Sequence, residues 1–399
     1  MHKQTFCQKL FDTALGSRIH KARKQCLSRF IGDLLDYDVD LSVTEIGKKL
    51  SSSSTVKSKI QAANYLIGNK KLGSQTSLIY KGLANFFWGN AKELVVLIDW
   101  SGSCSKEKLH TLTASIIGHG RSIPLYHQVF CESQLGSALA HEQFLQTLGD
   151  IIPSHIKVTI ITDAGFRTPW FREVISYGWE VIGRIYGGFS FQKEGEKEWI
   201  SLNEVDFGGT GKAYSLGKGK IGKKTKRVSG YVYTYKEKLS NKPHKKNPYP
   251  DHEKQYSHYY RNGWILFSTI DKSPHFIVKY YKKRMQIEQN FRDIKNQELG
   301  LGLRQNQSQT INRITMLWFL ACLIIIISWW FGLMIETTNQ HWRYQANTVK
   351  NKRVRSFIHL ARMVYRHEPY LLDWNRFIEI ISLLKQQYHT FIELGVIYE

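Results

Sequence analysis

Three carboxylates carry the chemistry this sequence is equipped to do. Asp99 closes the apolar run Leu94-Val95-Val96-Leu97-Ile98, and Asp163 closes Val158-Thr159-Ile160-Ile161-Thr162. Such unbroken runs mark strands buried on both faces, and an open α/β sheet presents ligands at the carboxyl ends of its strands. Taken singly, either aspartate is equally an ordinary turn or cap residue. The third acid, Glu288, lies among Tyr281, Arg284 and Lys295, at offsets of 0, 3, 7 and 14 residues from Tyr281. On a continuous helix these project at about 0°, −60°, −20° and −40°, a single polar stripe. Ile287, Phe291 and Ile294 form an apolar stripe beside it, so the helix can dock on a sheet and still aim a carboxylate and phosphate-binding groups at one place. Arg284 and Glu288 also have the i, i+4 spacing of a plain surface salt bridge. Together, Asp99, Asp163 and Glu288 suggest a site for two divalent metals. Mg²⁺ takes oxygen ligands from carboxylates and substrate phosphate, and ions roughly 3.5–4 Å apart stabilise both oxygens of an in-line phosphoryl displacement. No Cys/His cluster offers a rival metal site.

The elements that must position these residues follow from periodicity. Residues 1 to about 85 read as helical. Ser42-Val43-Thr44-Glu45 has capping-box form and opens a short helix through Leu50, and a second helix runs near Val56 to Leu66. Two short helices joined by a polar turn fit a helix-turn-helix reader and an ordinary helical hairpin equally, and the nearby lysines tilt the balance toward DNA. From Leu94 the pattern predicts three strands joined by hairpins, then helix, strand, helix, strand, ending near Arg184. This is the connectivity of an RNase H-like α/β domain. From Ile185 to about Arg261 the composition shifts to Gly, Lys and Tyr with short strand-like pieces. Between Lys212 and Arg227 there are seven basic residues and no acid, a solvated loop or a phosphate-tracking surface. Gly217-x-Gly219-x-x-Gly222 matches a dinucleotide fingerprint in form only, since no strand-turn-helix context surrounds it. Trp264 to Ile270 reads as a last strand, and Ser273-Pro274 opens one long helix carrying Tyr281 to Lys295.

The chain has 399 residues, enough for two or three domains at about 150 residues each. Its 56 Lys and Arg against 33 Asp and Glu leave a formal net charge of +23. That excess points to nucleic acid or an anionic membrane surface, and away from an enzyme of small acidic substrates with no polymer partner. Five cysteines with no C-x-x-C pair exclude a dense disulfide framework and a zinc ribbon, and fit a reducing cytosol. No apolar signal region follows Met1, so secretion is not expected. The 19 uncharged residues from Met316 to Met334 are long enough for a membrane span, but a single such segment with dispersed positive charge is better read as a helix buried in a soluble domain.

At these residues the chain resembles the DDE transposases of the bacterial insertion-sequence four family, and within it the insertion-sequence-ten branch, over nearly the whole length. The family signature Y-(2)-R-(3)-E-(6)-K is met at Tyr281, Arg284, Glu288 and Lys295, followed by Gly300-Leu301-Gly302-Leu303-Arg304. Further matches are VVLIDWS around Asp99, HGRS at His119 to Ser122, TDAGFRTPW around Asp163 and QANTVKNKRV from Gln345. Two departures stand out. Ala-Gly-Phe follows Asp163 where other branches have an Arg-Glu-containing run, and Gln289 replaces a second Glu, leaving Glu288 as the only acid at that step.

The resemblance implies an α/β fold. It has an N-terminal helical DNA-binding region (1–88) and an RNase H-like core in two parts (89–185 and 262–335). An inserted mostly-β subdomain (186–261) and C-terminal helices (336–399) complete it. It implies that Asp99, Asp163 and Glu288 bind two Mg²⁺ ions, with Mn²⁺ as substitute, and that Trp264 stacks on a base flipped out during hairpin formation. Tyr281 and Arg284 would hold the backbone near that base, and Lys295 would also contact DNA. The implied activity is cut-and-paste transposition by nicking, hairpin formation, hairpin opening and strand transfer. The partners would be transposon ends and target DNA, bound by a homodimer in the bacterial cytoplasm at the nucleoid, without membrane association. The alternatives are an RNase H-like DNA nuclease without strand transfer, and a catalytically inactive DNA-binding relative.

Overall fold

The computed structural model describes residues 1–35, 40–104, 108–186, 188–222, 227–238, 263–298, 300–350 and 352–394. The chain divides into two compact units. One comprises Met1–Leu94, Asp99–Lys157 and Gln286–Glu399; the other comprises Val95–Ile98 and Val158–Met285. Strand β1 (Glu93–Cys104) is shared between them.

The first unit begins with six helices, α1 (Lys3–Leu15), α2 (Lys21–Leu34), α3 (Val43–Lys49), α4 (Val56–Ile67), α5 (Lys70–Gly73) and α6 (Thr76–Trp88). Ser42 caps α3 as its motif implies, its side chain accepting from the Glu45 amide at 3.3 Å. Thr55 caps α4 in the same way through the Ser58 amide. Gly47 lets these two helices touch backbone to backbone, because a Cβ there would fall 2.4 Å from the Cα of Ile60. Strands β2 (Leu109–Ile116) and β3 (Ile123–Cys131) form an antiparallel hairpin, and the strand order in this unit is β3-β2-β1. Helix α7 (Ala138–Ile151) follows.

The centre of this unit is a helix of 27 residues, Ile311–Thr337. It is apolar on every side and its most apolar stretch is buried in full, as a core helix requires. Trp330 stacks on Phe87 of α6 with centroids 4.9 Å apart, and Phe331 stacks on Tyr365 at 4.9 Å. Each large side chain so buried contributes about 1.5–3 kcal/mol. The expectation of a buried helix from Met316 to Met334 is met inside this unit. One polar clamp fixes β3 to it: His127, fully buried, bonds the Tyr80 hydroxyl through Nδ1 at 2.7 Å and the Thr315 carbonyl through Nε2 at 3.1 Å. Thr315 O can only accept, so Nε2 carries the proton and the Tyr80 hydroxyl donates to Nδ1.

In the second unit the strand order is β1, β4 (Lys157–Thr162), β5 (Glu180–Ile185), β10 (Trp264–Ser268), β9 (Val228–Tyr235), β8 (Ala213–Ile221), β6 (Ser190–Lys193) and β7 (Ile200–Ser201). β4 and β5 are parallel, joined through helix α8 (Thr168–Ser176). From β5 onward the pairings are antiparallel. Among the described residues between 186 and 238, β6 to β9 are the strands. Gly187, residues 223–226 and residues 239–262 lie outside the described residues, and the basic run Lys212 to Arg227 is therefore described only in part. The three glycines of the dinucleotide-like pattern fall on or just after β8, and the next described element is strand β9, not a helix.

Two expectations are corrected. β1 does not end at Asp99 but runs on to Cys104, placing Asp99 within the strand. Ser and Gly in Trp100-Ser101-Gly102-Ser103 removed the apolar pattern, yet pairing with β2 carries the strand on, and Ser103 Oγ bonds Thr111 Oγ1. The helix opened by Ser273-Pro274 is also not continuous. It comprises α9 (Pro274–Lys282) and α10 (Met285–Lys295). At the joint Lys283 and Arg284 donate to the carbonyls of Tyr280 and Tyr281 at 3.0 and 2.9 Å, a tightened i to i−3 turn that no Pro or Gly announces. After α10 and the central helix α11 (Ile311–Thr337) come α12 (Phe357–His367) and α13 (Trp374–Leu394).

Candidate active site

Each unit gathers its own share of the expected site residues. In the first, Asp99 is half-buried on β1, its Oδ1 accepting from the Trp100 amide at 2.8 Å. Two residues along the strand, Ser101 Oγ receives a hydrogen bond from Lys295 Nζ on α10. Burial, and secondarily the charge of Arg304, push the Lys295 ammonium down from its ordinary value to about 8, while the nearby Asp99 carboxylate acts in the opposite direction. Lys295 also lies 5.8 Å from the Phe291 ring and 6.0 Å from Trp318, within cation–π reach. Glu288, half-buried in the first turn of α10, precedes Lys295 by two turns, so the two project within about 20° of each other. The apolar stripe behaves as its spacing implied: Ile287, Phe291 and Ile294 are all buried.

The hydrogen bonds under α10 explain its register against the β2–β3 hairpin. Gly118 N donates to Gln286 Oε1 at 3.0 Å, Ser122 Oγ to the Gln286 carbonyl at 3.3 Å, and Asn290 Nδ2 to Ser122 Oγ at 3.3 Å. Arg121 closes the set with an ion pair to Asp293 at 2.7 Å. The HGRS motif is thus the seat of the helix that carries Glu288. Beside Ser103 on β1 a cleft of about 600 Å³ is lined by Lys108, Arg304 and Asn306 together with the His110–Glu132 pair.

In the second unit Asp163 stands immediately after β4, half-buried, its Oδ1 accepting from the Gly165 amide at 2.9 Å. Trp264 opens β10 opposite Tyr235 of β9 and is half-buried. Tyr281 meets it edge-on at 5.3 Å and Tyr235 lies 5.4 Å away. Lys282 Nζ sits 4.7 Å over the Tyr235 ring and 5.9 Å from Trp264, and it bonds Tyr235 Oη and Glu237 Oε1, each at 2.9 Å. Tyr281 is 3% exposed and Arg284 7%, so neither is the exposed member of a polar stripe that a continuous helix implied. Tyr235, Lys282 and Ser101 were missed by sequence reasoning. The first two are brought to Trp264 by strand register and a helix turn, for which one sequence carries no signal.

The donor chemistry of Asp99, Asp163 and Glu288, carboxylate oxygens only, suits a hard cation of the Mg²⁺ type. Among the described residues, no group of three or more His, Cys, Asp or Glu side chains is close enough to form a metal cluster. A solved structure of a piggyBac transposase synaptic complex with hairpin DNA is similar over 100% of this chain and 86% of that one, at 11% identity and a TM-score of 0.44. No curated protein matches the sequence. The model of the transposase DDE domain matches residues 92–327, which takes in Asp99, Asp163, Trp264, Tyr281, Arg284, Glu288 and Lys295. With more than half of its length inside that match, the chain belongs to the DDE transposase family.

Proposed function

We propose that this protein is a cut-and-paste transposase of the insertion-sequence four family, insertion-sequence-ten branch, which binds the terminal inverted repeats of its own element. The observation that carries the reading is the pairing on β1 and α10. A half-buried ammonium is held on Ser101 within the field of Asp99, and Glu288 shares its helix face. Burying a lysine this far is unfavourable, and a phosphate supplied by substrate would offset the penalty.

Asp99, Asp163 and Glu288 would hold two Mg²⁺ ions, for which Mn²⁺ substitutes. When bound, these neutralise developing charge on the phosphate and polarise its oxygens. The remaining work falls to the chain itself. Lys295 pairs with the phosphate whose bond is broken. Trp264, at the rim of β10, takes the extruded base of the hairpin, and an indole recovers about 1–3 kcal/mol per stacked base. Tyr281, edge-on to that indole, holds the ring in place, and Arg284 is assigned to the backbone beside it. Positioning and charge neutralisation then account for nicking, hairpin formation, hairpin opening and joining of 3′ ends to target DNA, without a covalent protein intermediate.

Bringing two ends together calls for a homodimer on DNA, and the setting is the bacterial cytoplasm at the nucleoid. The strand orders β3-β2-β1 and β1-β4-β5 support an RNase H-like core, into which residues 186–261 are inserted. Glu288→Gln should abolish metal-dependent strand cleavage and leave end binding intact. Cleavage retained in Mg²⁺ would sink the assignment. Products joined to target DNA separate a transposase from a nuclease that only hydrolyses.

A further inference from the structure

The two motifs that the active-site reading leaves without a chemical role, His119-Gly120-Arg121 and the basic segment around Arg353, meet in the first unit around a cavity of about 730 Å³. That volume is in the range that holds a nucleotide-sized ligand rather than a lone ion. Arg121, Arg292, Arg353, Arg355 and Arg362 line it, with Asp293 as the single carboxylate among the lining residues. Arg121 meets Asp293 at 2.7 Å, and Arg353 meets Glu336 at 2.7 Å. Arg355 instead bonds neutral acceptors, the Tyr344 carbonyl at 2.7 Å and His359 Nε2 at 2.6 Å. An arginine can only donate, so His359 accepts here as neutral imidazole, and burial together with Arg355 and Arg362 lowers its pKa. With five arginines to one carboxylate, the lining carries a positive excess. Ser356, the N-cap of α12, and His359 in its first turn complete it, adding the partial positive end of a helix.

We propose that this cavity seats phosphodiester groups of a DNA segment, a backbone contact additional to the carboxylate site. The proposal rests on the transposase reading for its ligand. Helix α10 supplies the link between the two places. Around its axis Asp293 is turned about 140° from Glu288, and Arg292 stands between them at about 40°. A strand leaving the Glu288–Lys295 face is therefore met by Arg292 and then by the arginines of the cavity. Guanidinium forks match phosphate oxygens bidentately, and such contacts fix register without reading sequence.

The test uses the full chain and two probes, a random-sequence duplex and inorganic phosphate. Binding of the duplex is measured between about 50 and 200 mM salt for the wild type and for the double variant Arg355→Gln/Arg362→Gln. Each lost phosphate contact lowers the log–log salt slope by about 0.9, so the double variant's slope should fall by about one to two, to a degree that is the same for every duplex sequence. In parallel, wild-type arginines are labelled with phenylglyoxal and mapped by mass spectrometry, which needs no variant to fold. Duplex DNA should protect Arg355 and Arg362 at concentrations where inorganic phosphate does not. Unchanged labelling with DNA bound would overturn the proposal, as would an unchanged slope in a folded variant. Protection by inorganic phosphate equal to that by duplex would also overturn it, assigning the cavity to a small free anion. If the wild type itself bound no duplex, the transposase reading would fall first, and the two failures are thereby told apart.

Discussion

Acidification should loosen the first unit through His127, by an amount the clamp itself sets. The ring is fully buried between Tyr80 and Thr315, and burial pushes its pKa down from 6.5 to about 4. In the unfolded chain the imidazole titrates near 6.5. Between these values the unfolded state binds the proton and the folded state does not. The stabilisation is therefore complete above about pH 6.5 and is lost as the pH falls toward about 4. For one such site the loss relative to neutral pH is about 2 kcal/mol at pH 5 and about 3 kcal/mol at pH 4. The assay is denaturant unfolding of the wild type and of His127→Gln across pH 7 to 5. Gln offers a neutral donor and acceptor but does not titrate. His141, whose pKa burial also lowers to about 4, is present in both proteins and cancels in the difference. The stability gap between wild type and variant should shrink by about 2 kcal/mol over that range. A constant gap would refute the reasoning, because it would mean that the folded ring takes up a proton as readily as the unfolded one.

Gly47→Ala should destabilise the protein by up to about 2 kcal/mol in denaturant unfolding. The overpacking cost of about 1–3 kcal/mol against the Ile60 backbone outweighs the gain in helix propensity of about 1 kcal/mol. Weaker end binding by that variant would in addition place the α3–α4 pair on DNA. Trp264→Ala should slow hairpin formation more than first-strand nicking in a single-turnover assay, by roughly 5- to 150-fold if about 1–3 kcal/mol of stacking is lost. Equal slowing of both steps would count against base stacking. Arg121→Ala should cost about 1–3 kcal/mol of stability, because it leaves the largely buried Asp293 carboxylate, already raised in pKa by burial, without its ion pair.

Much of this architecture was legible in the residues. Leu94 to Ile98 and Val158 to Thr162 announced buried strands because nothing charged interrupts them. Ser42 and Ser273 announced helix starts because their hydroxyls do there what an orphaned amide needs. The apolar stripe of Ile287, Phe291 and Ile294 carried the docking face of α10 unaided. Two things were not legible. The turn at Lys283 and Arg284 contains no helix breaker, so local propensity favours an unbroken helix and the break is imposed by packing. The extension of β1 past Asp99 depends on its neighbour β2, whose ladder sustains Ser and Gly residues that by themselves favour a turn. At the candidate site, residue types were readable from motif spacing. The companions Ser101, Tyr235 and Lys282 came only from register, the meeting of residues far apart in the chain.

The helix Ile311–Thr337 has a consequence for how the protein is made. Its faces are covered partly by α6 and β3, already synthesised, and partly by α12 and α13, which follow it. The 57 residues from Thr338 to Leu394 must leave the ribosome before that second cover is complete. At about 5–20 residues per second this takes roughly 3–11 s. For that interval the nascent chain displays a segment with the length and apolarity of a membrane span. During that interval the surfaces already synthesised to meet it are β3 and the Tyr80, Phe87 and Trp88 rings of α6.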